Sequence, residues 1–144
     1  MTAKRAADLA TYVLDTSAVL TLFEAEDGCV VVQRLLRNAR RGRARVLVSL
    51  MTTYEILYIT AQEHDEEEGL RRVLELRNLP LSEAPLDTAV AIRAADLKAR
   101  HRLSVADSWI AATAILERAT LVHKDPELLA LADLVALETL PLKS

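Results

Sequence analysis

Two alternating segment lengths constrain what this chain can fold into. Short, continuously apolar runs (Tyr12-Val13-Leu14, Val46-Leu47-Val48 and Leu121-Val122) recur between longer stretches whose apolar residues follow a helical period. A strand that is apolar at every position has no solvent face, so it must be covered on both sides. Such strands alternating with helices build a mainly parallel sheet with helices on both faces, an α/β architecture. Helices are expected over 28–41, stopped by Gly42, then over 52–64 and over 66–77 ahead of Pro80. Two Ala-rich helices follow over 86–100 and 105–118, and a short one over 126–132. Weaker strand signals sit at 79–81 and 134–137.

At 144 residues the chain can bury roughly 70% of its unfolded surface, which suits one domain with a real core. With three Gly, four Pro and no linker-like stretch, residues 1–144 read as one unit whose first 11 residues are a polar leader. The chain carries 18 basic and 21 acidic side chains, a formal charge of −3. Nonspecific adhesion to nucleic acid is therefore excluded, and any such contact must be local or cation-assisted. Three Tyr, one Trp and one Phe are too few for an extended base-stacking platform. A lone Cys29 supports neither a disulfide nor a Cys-rich zinc site. No signal peptide and no apolar run of about 18 residues is present, so a soluble, cytoplasmic protein without a membrane segment is expected.

The informative residues are acids at the junctions between strands and helices. Asp15 ends the first strand. Glu55 is expected in the first turn of the helix after the second strand. Asp107 opens the helix before the fourth strand, and Asp125 follows that strand. Each has an ordinary explanation: Asp15 as a turn acid, Thr52–Glu55 and Ser104–Asp107 as capping boxes, Asp125-Pro126 as an N-cap with proline behind it. In a parallel sheet, however, all four converge on one edge, where ligands bind. Two carboxylates about 4 Å apart repel by roughly 4 kcal/mol at an effective dielectric of 20. Lys124 is the only nearby base, and its side chain is expected to face away from Asp125. A cluster of this kind calls for protons or a cation, and oxygen donors suit Mg²⁺ or Mn²⁺ rather than zinc.

The segments Tyr12-Val13-Leu14-Asp15-Thr16-Ser17-Ala18, Thr53-Tyr54-Glu55, Leu103-Ser104-Val105-Ala106-Asp107-Ser108-Trp109-Ile110-Ala111-Ala112 and Leu121-Val122-His123-Lys124-Asp125 resemble, in order and spacing, the motifs of PIN-domain ribonucleases. The short form is most similar to VapC-type toxins of toxin–antitoxin pairs. The resemblance implies an α/β/α sandwich, Mg²⁺- or Mn²⁺-dependent cleavage of RNA, a protein antitoxin and a homodimer. It places Asp15, Glu55, Asp107 and Asp125 at the four acidic positions, all as metal ligands and catalytic residues, and Ser17 as the hydroxyl beside the first. One departure stands out: His123 occupies a place where the motif more often has Thr.

Other readings of the same residues stay open. An aspartyl phosphatase would need a second Asp two residues after Asp15, where Ser17 stands. A phospho-receiver domain would need paired acids after the first strand and a mid-chain strand-end Asp. A non-catalytic PIN-like domain that binds RNA or protein would keep the fold without turnover. The basic run Arg34, Arg37, Arg40, Arg41, Arg43 and Arg45 is either a helix C-terminus with a solvated loop or a phosphate track.

Overall fold

A computed structural model describes residues 9–142 of the chain; residues 1–8 of the expected leader lie outside them. Five strands, β1 (Ala10–Leu14), β2 (Ala44–Ser49), β3 (Ser82–Ala84), β4 (Thr120–His123) and β5 (Leu137–Thr139), form one sheet in the order β3-β2-β1-β4-β5. Every neighbouring pair is parallel. The α-helices are α1 (Thr16–Phe23), α2 (Cys29–Arg40), α3 (Leu50–Glu63), α4 (Glu66–Arg77), α5 (Thr88–Arg100) and α6 (Val105–Leu116), with a 3₁₀ helix at Pro126–Leu131. None is long and apolar enough to cross a membrane.

The continuous apolar runs are explained by two cores. Successive strand residues point to opposite faces, so Val13, Leu47 and Leu121 pack against α5, α6 and the 3₁₀ helix. Their neighbours Leu14, Val46, Val48 and Val122 pack against α1, α2, α3 and α4. Burying each of these side chains contributes about 1.5–3 kcal/mol. Helix ends follow local chemistry: Asp65 accepts the Glu68 amide at 2.7 Å to start α4, and Asp87 accepts that of Val90 at 3.0 Å to start α5.

Several boundaries differ from the sequence expectation. Ala10 and Thr11 pair with Ala44 and Arg45 and so belong to β1, not to a leader. The expected assignment contains no helix at α1, whose eight residues carry almost no polar face to set a period. Helix α3 starts at Leu50, because Ser49 at the end of β2 accepts the Met51 amide at 3.0 Å and acts as the cap. Thr52 is therefore a buried residue inside the helix rather than a cap, and Glu55 lies beyond the first turn. Leu79 and Leu81 pack beneath the helices of the second core while strand pairing begins only at Ser82. The amides of Leu134 and Val135 still bond Leu131 O as helical turns do, so β5 starts at Leu137.

The basic run sits at the C-terminus of α2 and the start of β2. This is the sheet edge opposite the strands' carboxyl ends. Arg37 and Arg40 occupy the last helical turn, and Arg45 pairs with Glu117 at 3.0 Å. These are the positions of helix-terminal cations rather than of a phosphate track leading to the acids.

Gly28, at the N-cap of α2, has φ +97°, and a Cβ there would meet Leu140 Cβ and Pro141 Cδ at 3.1 Å. Gly28→Ala is expected to destabilise the fold by about 1–3 kcal/mol, through left-handed strain and the clash with the chain after β5. Urea unfolding of the purified variant checks this. Unchanged stability would contradict the close approach.

Candidate active site

In this sheet the strand order reverses between β1 and β4, with β2 and β3 on one side and β5 on the other. The crevice above such a reversal is where parallel sheets bind ligands. Asp15 stands at the end of β1 and donates its amide to Val122 O of β4 at 2.9 Å, so it is locked to the reversal point.

Asp15 is only 3% exposed. Its Oδ2 accepts the Ser17 amide at 3.1 Å and also the Ser17 hydroxyl. The Ser17 Oγ in turn accepts the Lys124 amide at 2.9 Å, tying α1 to the segment after β4. Asp15 Oδ1 is buried with no hydrogen-bond partner among the described residues. Burial raises the Asp15 pKa to about 6, the Ser17 bonds pull it down, and the charges of Glu55 and Asp125 add to the rise.

The other acids converge on it. Thr16 donates its hydroxyl to Glu55 Oε1 at 2.7 Å and lies 3.1 Å from the buried Thr52 hydroxyl, so α1 holds the α3 carboxylate in place. Asp107, in the first turn of α6, gives its amide to the cap Ser104 at 3.1 Å. The Asp107 carboxyl is pushed up to about 7, by burial first and then by Asp15 and Asp125, with Glu55 adding and Ser104 opposing. The structure therefore brings the four expected acids into one electrostatic cluster. Among the described residues none of them pairs with Lys or Arg. Lys124 Nζ is buried without a hydrogen-bond partner.

A fifth acid lies outside the sequence reading. One carboxylate oxygen each from Asp107, Asp125 and Glu127 lies within 4.8 Å of the others. Asp125 caps the 3₁₀ helix by accepting the Glu127 amide at 3.0 Å, which turns Glu127 back toward the site. The sequence signal was the second acid two residues after Asp125, concealed because Asp125-Pro126 already reads as a helix opening. Tyr54 and Tyr58 flank Glu55 on α3, their rings 5.3 Å apart, with the Tyr58 hydroxyl 3.5 Å from Glu55 Oε2. Burial and the Glu55 charge push the Tyr58 phenol up.

These residues fit a hard divalent cation. The donors are all oxygen: Asp107, Asp125 and Glu127 offer the close group of three, and the orphaned Asp15 Oδ1, outside that group, is a buried polar atom that a cation would satisfy. Without one, the site holds mutually repelling carboxylates that must take up protons.

No curated protein matches the chain. Solved structures with the same fold include VapBC2 from Rickettsia felis bound to a DNA fragment from its promoter, at TM-score 0.72 and 17% identity, covering 91% of this chain and 99% of that one. DNA-bound VapBC from Salmonella typhimurium gives TM-score 0.72 and 19% identity over 91% and 98% of the two chains. FitAcB from Neisseria gonorrhoeae gives TM-score 0.64 and 26% identity over 88% and 95%. The PIN domain profile matches residues 12–134. With that match running from Tyr12 in β1 through β4 and covering the crevice and the four acids, the chain belongs to the PIN domain family.

Proposed function

We propose that this chain is an endoribonuclease that uses Mg²⁺ or Mn²⁺ and acts in the cytoplasm as the toxin of a type II toxin–antitoxin pair. The observation that carries the reading is the carboxylate cluster at the sheet's reversal point, in which the buried Asp15 keeps its Oδ1 unpartnered among the described residues. A divalent cation bound there would lower the pKa of a water and offset the charge of a phosphodiester. Asp15 and Asp107 would be its direct ligands. Glu55, held by Thr16, and Asp125 complete the shell directly or through water. Ser17 fixes the orientation of Asp15 by binding Oδ2, which leaves Oδ1 for the cation. Hydrolysis would add the water's oxygen at phosphorus while the ester oxygen leaves and takes up a proton from water, and the acids would act by holding the cation that faces the anionic phosphate.

A protein antitoxin is supported by the similar structures, which include a toxin–antitoxin complex from Klebsiella pneumoniae and a member of the VapBC family of toxin–antitoxin systems from Mycobacterium tuberculosis. A homodimer is part of the same proposal. The test is incubation of antitoxin-free protein with a mixed RNA pool in Mg²⁺ or Mn²⁺, and again in EDTA. Metal-dependent fragments are expected. A folded protein that binds the RNA pool yet never cuts it would favour the non-catalytic alternative.

Glu127 gives a graded prediction within this reading. Glu127→Gln should weaken Mn²⁺ binding about three- to tenfold while the fold stays unchanged, because one of several carboxylates loses its charge. Titration of Mn²⁺ into metal-free protein measures it. Unaltered affinity would remove Glu127 from the shell.

A further inference from the structure

His123 ends β4 and is 0% exposed, yet both of its ring nitrogens are engaged. Nδ1 lies 3.1 Å from the Asp125 amide nitrogen. An amide N–H can only donate, so Nδ1 is the acceptor. The neutral ring then carries its proton on Nε2 and donates it to Thr139 Oγ1 of β5, 3.0 Å away. The backbone repeats the tie, since His123 O accepts the Leu140 amide at 2.7 Å. A ring rotated by half a turn would lose both bonds, so one orientation is fixed.

The effect falls on Asp125. Its amide is held by His123, while its carboxylate takes the Glu127 amide at 3.0 Å. Thr, more usual at this place in the motif the sequence resembles, has a hydroxyl that can accept the amide two residues on. Here an imidazole makes the equivalent bond and adds an anchor on the edge strand. We propose that His123 is a positioning residue, whose Nδ1 holds the Asp125 amide and aims that carboxylate into the site, with Thr139 of β5 as its anchor. This rests on the proposed function only in what the aimed carboxylate is for.

The test separates positioning from mere filling of the core. In His123→Asn the side-chain oxygen replaces Nδ1 and can accept the Asp125 amide, as Asn does in an Asx turn. In His123→Gln the polar end lies nearer Nε2 and reaches Thr139 instead. Protection of the Asp125 amide against hydrogen exchange should survive in the Asn variant and drop in the Gln variant. Cleavage kcat and Mn²⁺ affinity should fall about tenfold or more for Gln, with KM for RNA unchanged, and only about two- to threefold for Asn. A residue that only fills space predicts that Asn, which leaves the larger void, does at least as badly as Gln; that result overturns the proposal. Should neither variant fold, Thr139→Val at the partly exposed end of the chain of bonds should still speed exchange at Asp125, and unchanged exchange overturns the proposal. The exchange measurement needs no activity. Wild-type protein that holds the Asp125 amide but neither binds Mn²⁺ nor cuts RNA would sink the nuclease reading and leave the positioning intact.

Discussion

Asp15→Asn should abolish RNA cleavage and, in the same protein without metal, raise stability at neutral pH. The two effects have one cause. The Asp15 carboxylate is 3% exposed, with one oxygen unpartnered and two other acids acting on it. Its pKa of about 6 against 3.8 for the free side chain amounts to roughly 3 kcal/mol of strain on the charged form, at about 1.4 kcal/mol per unit. Asn keeps an oxygen for the Ser17 donors and removes the charge. A gain of about 1–3 kcal/mol is therefore expected in urea unfolding at pH 7.5 with EDTA, alongside a loss of at least about 100-fold in cleavage. A carboxylate that served only as a helix cap would give the opposite pattern, with cleavage retained and stability unchanged or slightly lower.

The second large effect is the dependence of metal-free stability on pH, and its reversal by metal. Asp15 is raised to about 6 and Asp107 to about 7 in the folded chain. Between about pH 4 and 7 the folded chain thus holds more protons than the unfolded one, and stability falls as pH rises through that window. Burial pushes His123 the other way; its contribution rises with pH below its ordinary value. The carboxylate effect is therefore read as the difference between wild type and Asp15→Asn. That difference should be near zero at pH 4 and reach its full size above pH 7. Mn²⁺ at 100 times its pH 8 Kd should return about 2.7 kcal/mol to the wild type at pH 8, and the same concentration should return less at pH 5, because protons and the cation compete for the same oxygens. Thermal melts across pH, with and without Mn²⁺, check both. A difference that is flat with pH would contradict the cluster.

Fold and acids differ in how legible they were in the sequence. The class was legible because Val13 and Leu14, or Leu121 and Val122, are apolar neighbours, and neighbours in a strand face opposite layers. The convergence of Asp15, Glu55, Asp107 and Asp125 followed from parallel topology alone. Helix α1 was not legible: residues 16–23 carry no charge and only the hydroxyls of Thr16, Ser17 and Thr21, and a short, mostly apolar run is ambiguous between strand and helix. The register of α3 was also hidden. Ser49, one residue past the strand expected over 46–48, both ends β2 and serves as the cap. Glu127 and the Nδ1 bond of His123 depend on how the chain turns after β4. Spacing in the sequence does not carry that information.

On the proposed function, these acids hold a divalent cation. Calorimetric titration of Mn²⁺ into the metal-free wild type and into Asp15→Asn at pH 7.5 tests it most directly. Saturable binding with proton release is expected in the wild type, and at least about tenfold weaker binding in the variant. No saturable binding in a folded wild type, or equal binding in both proteins, would contradict it.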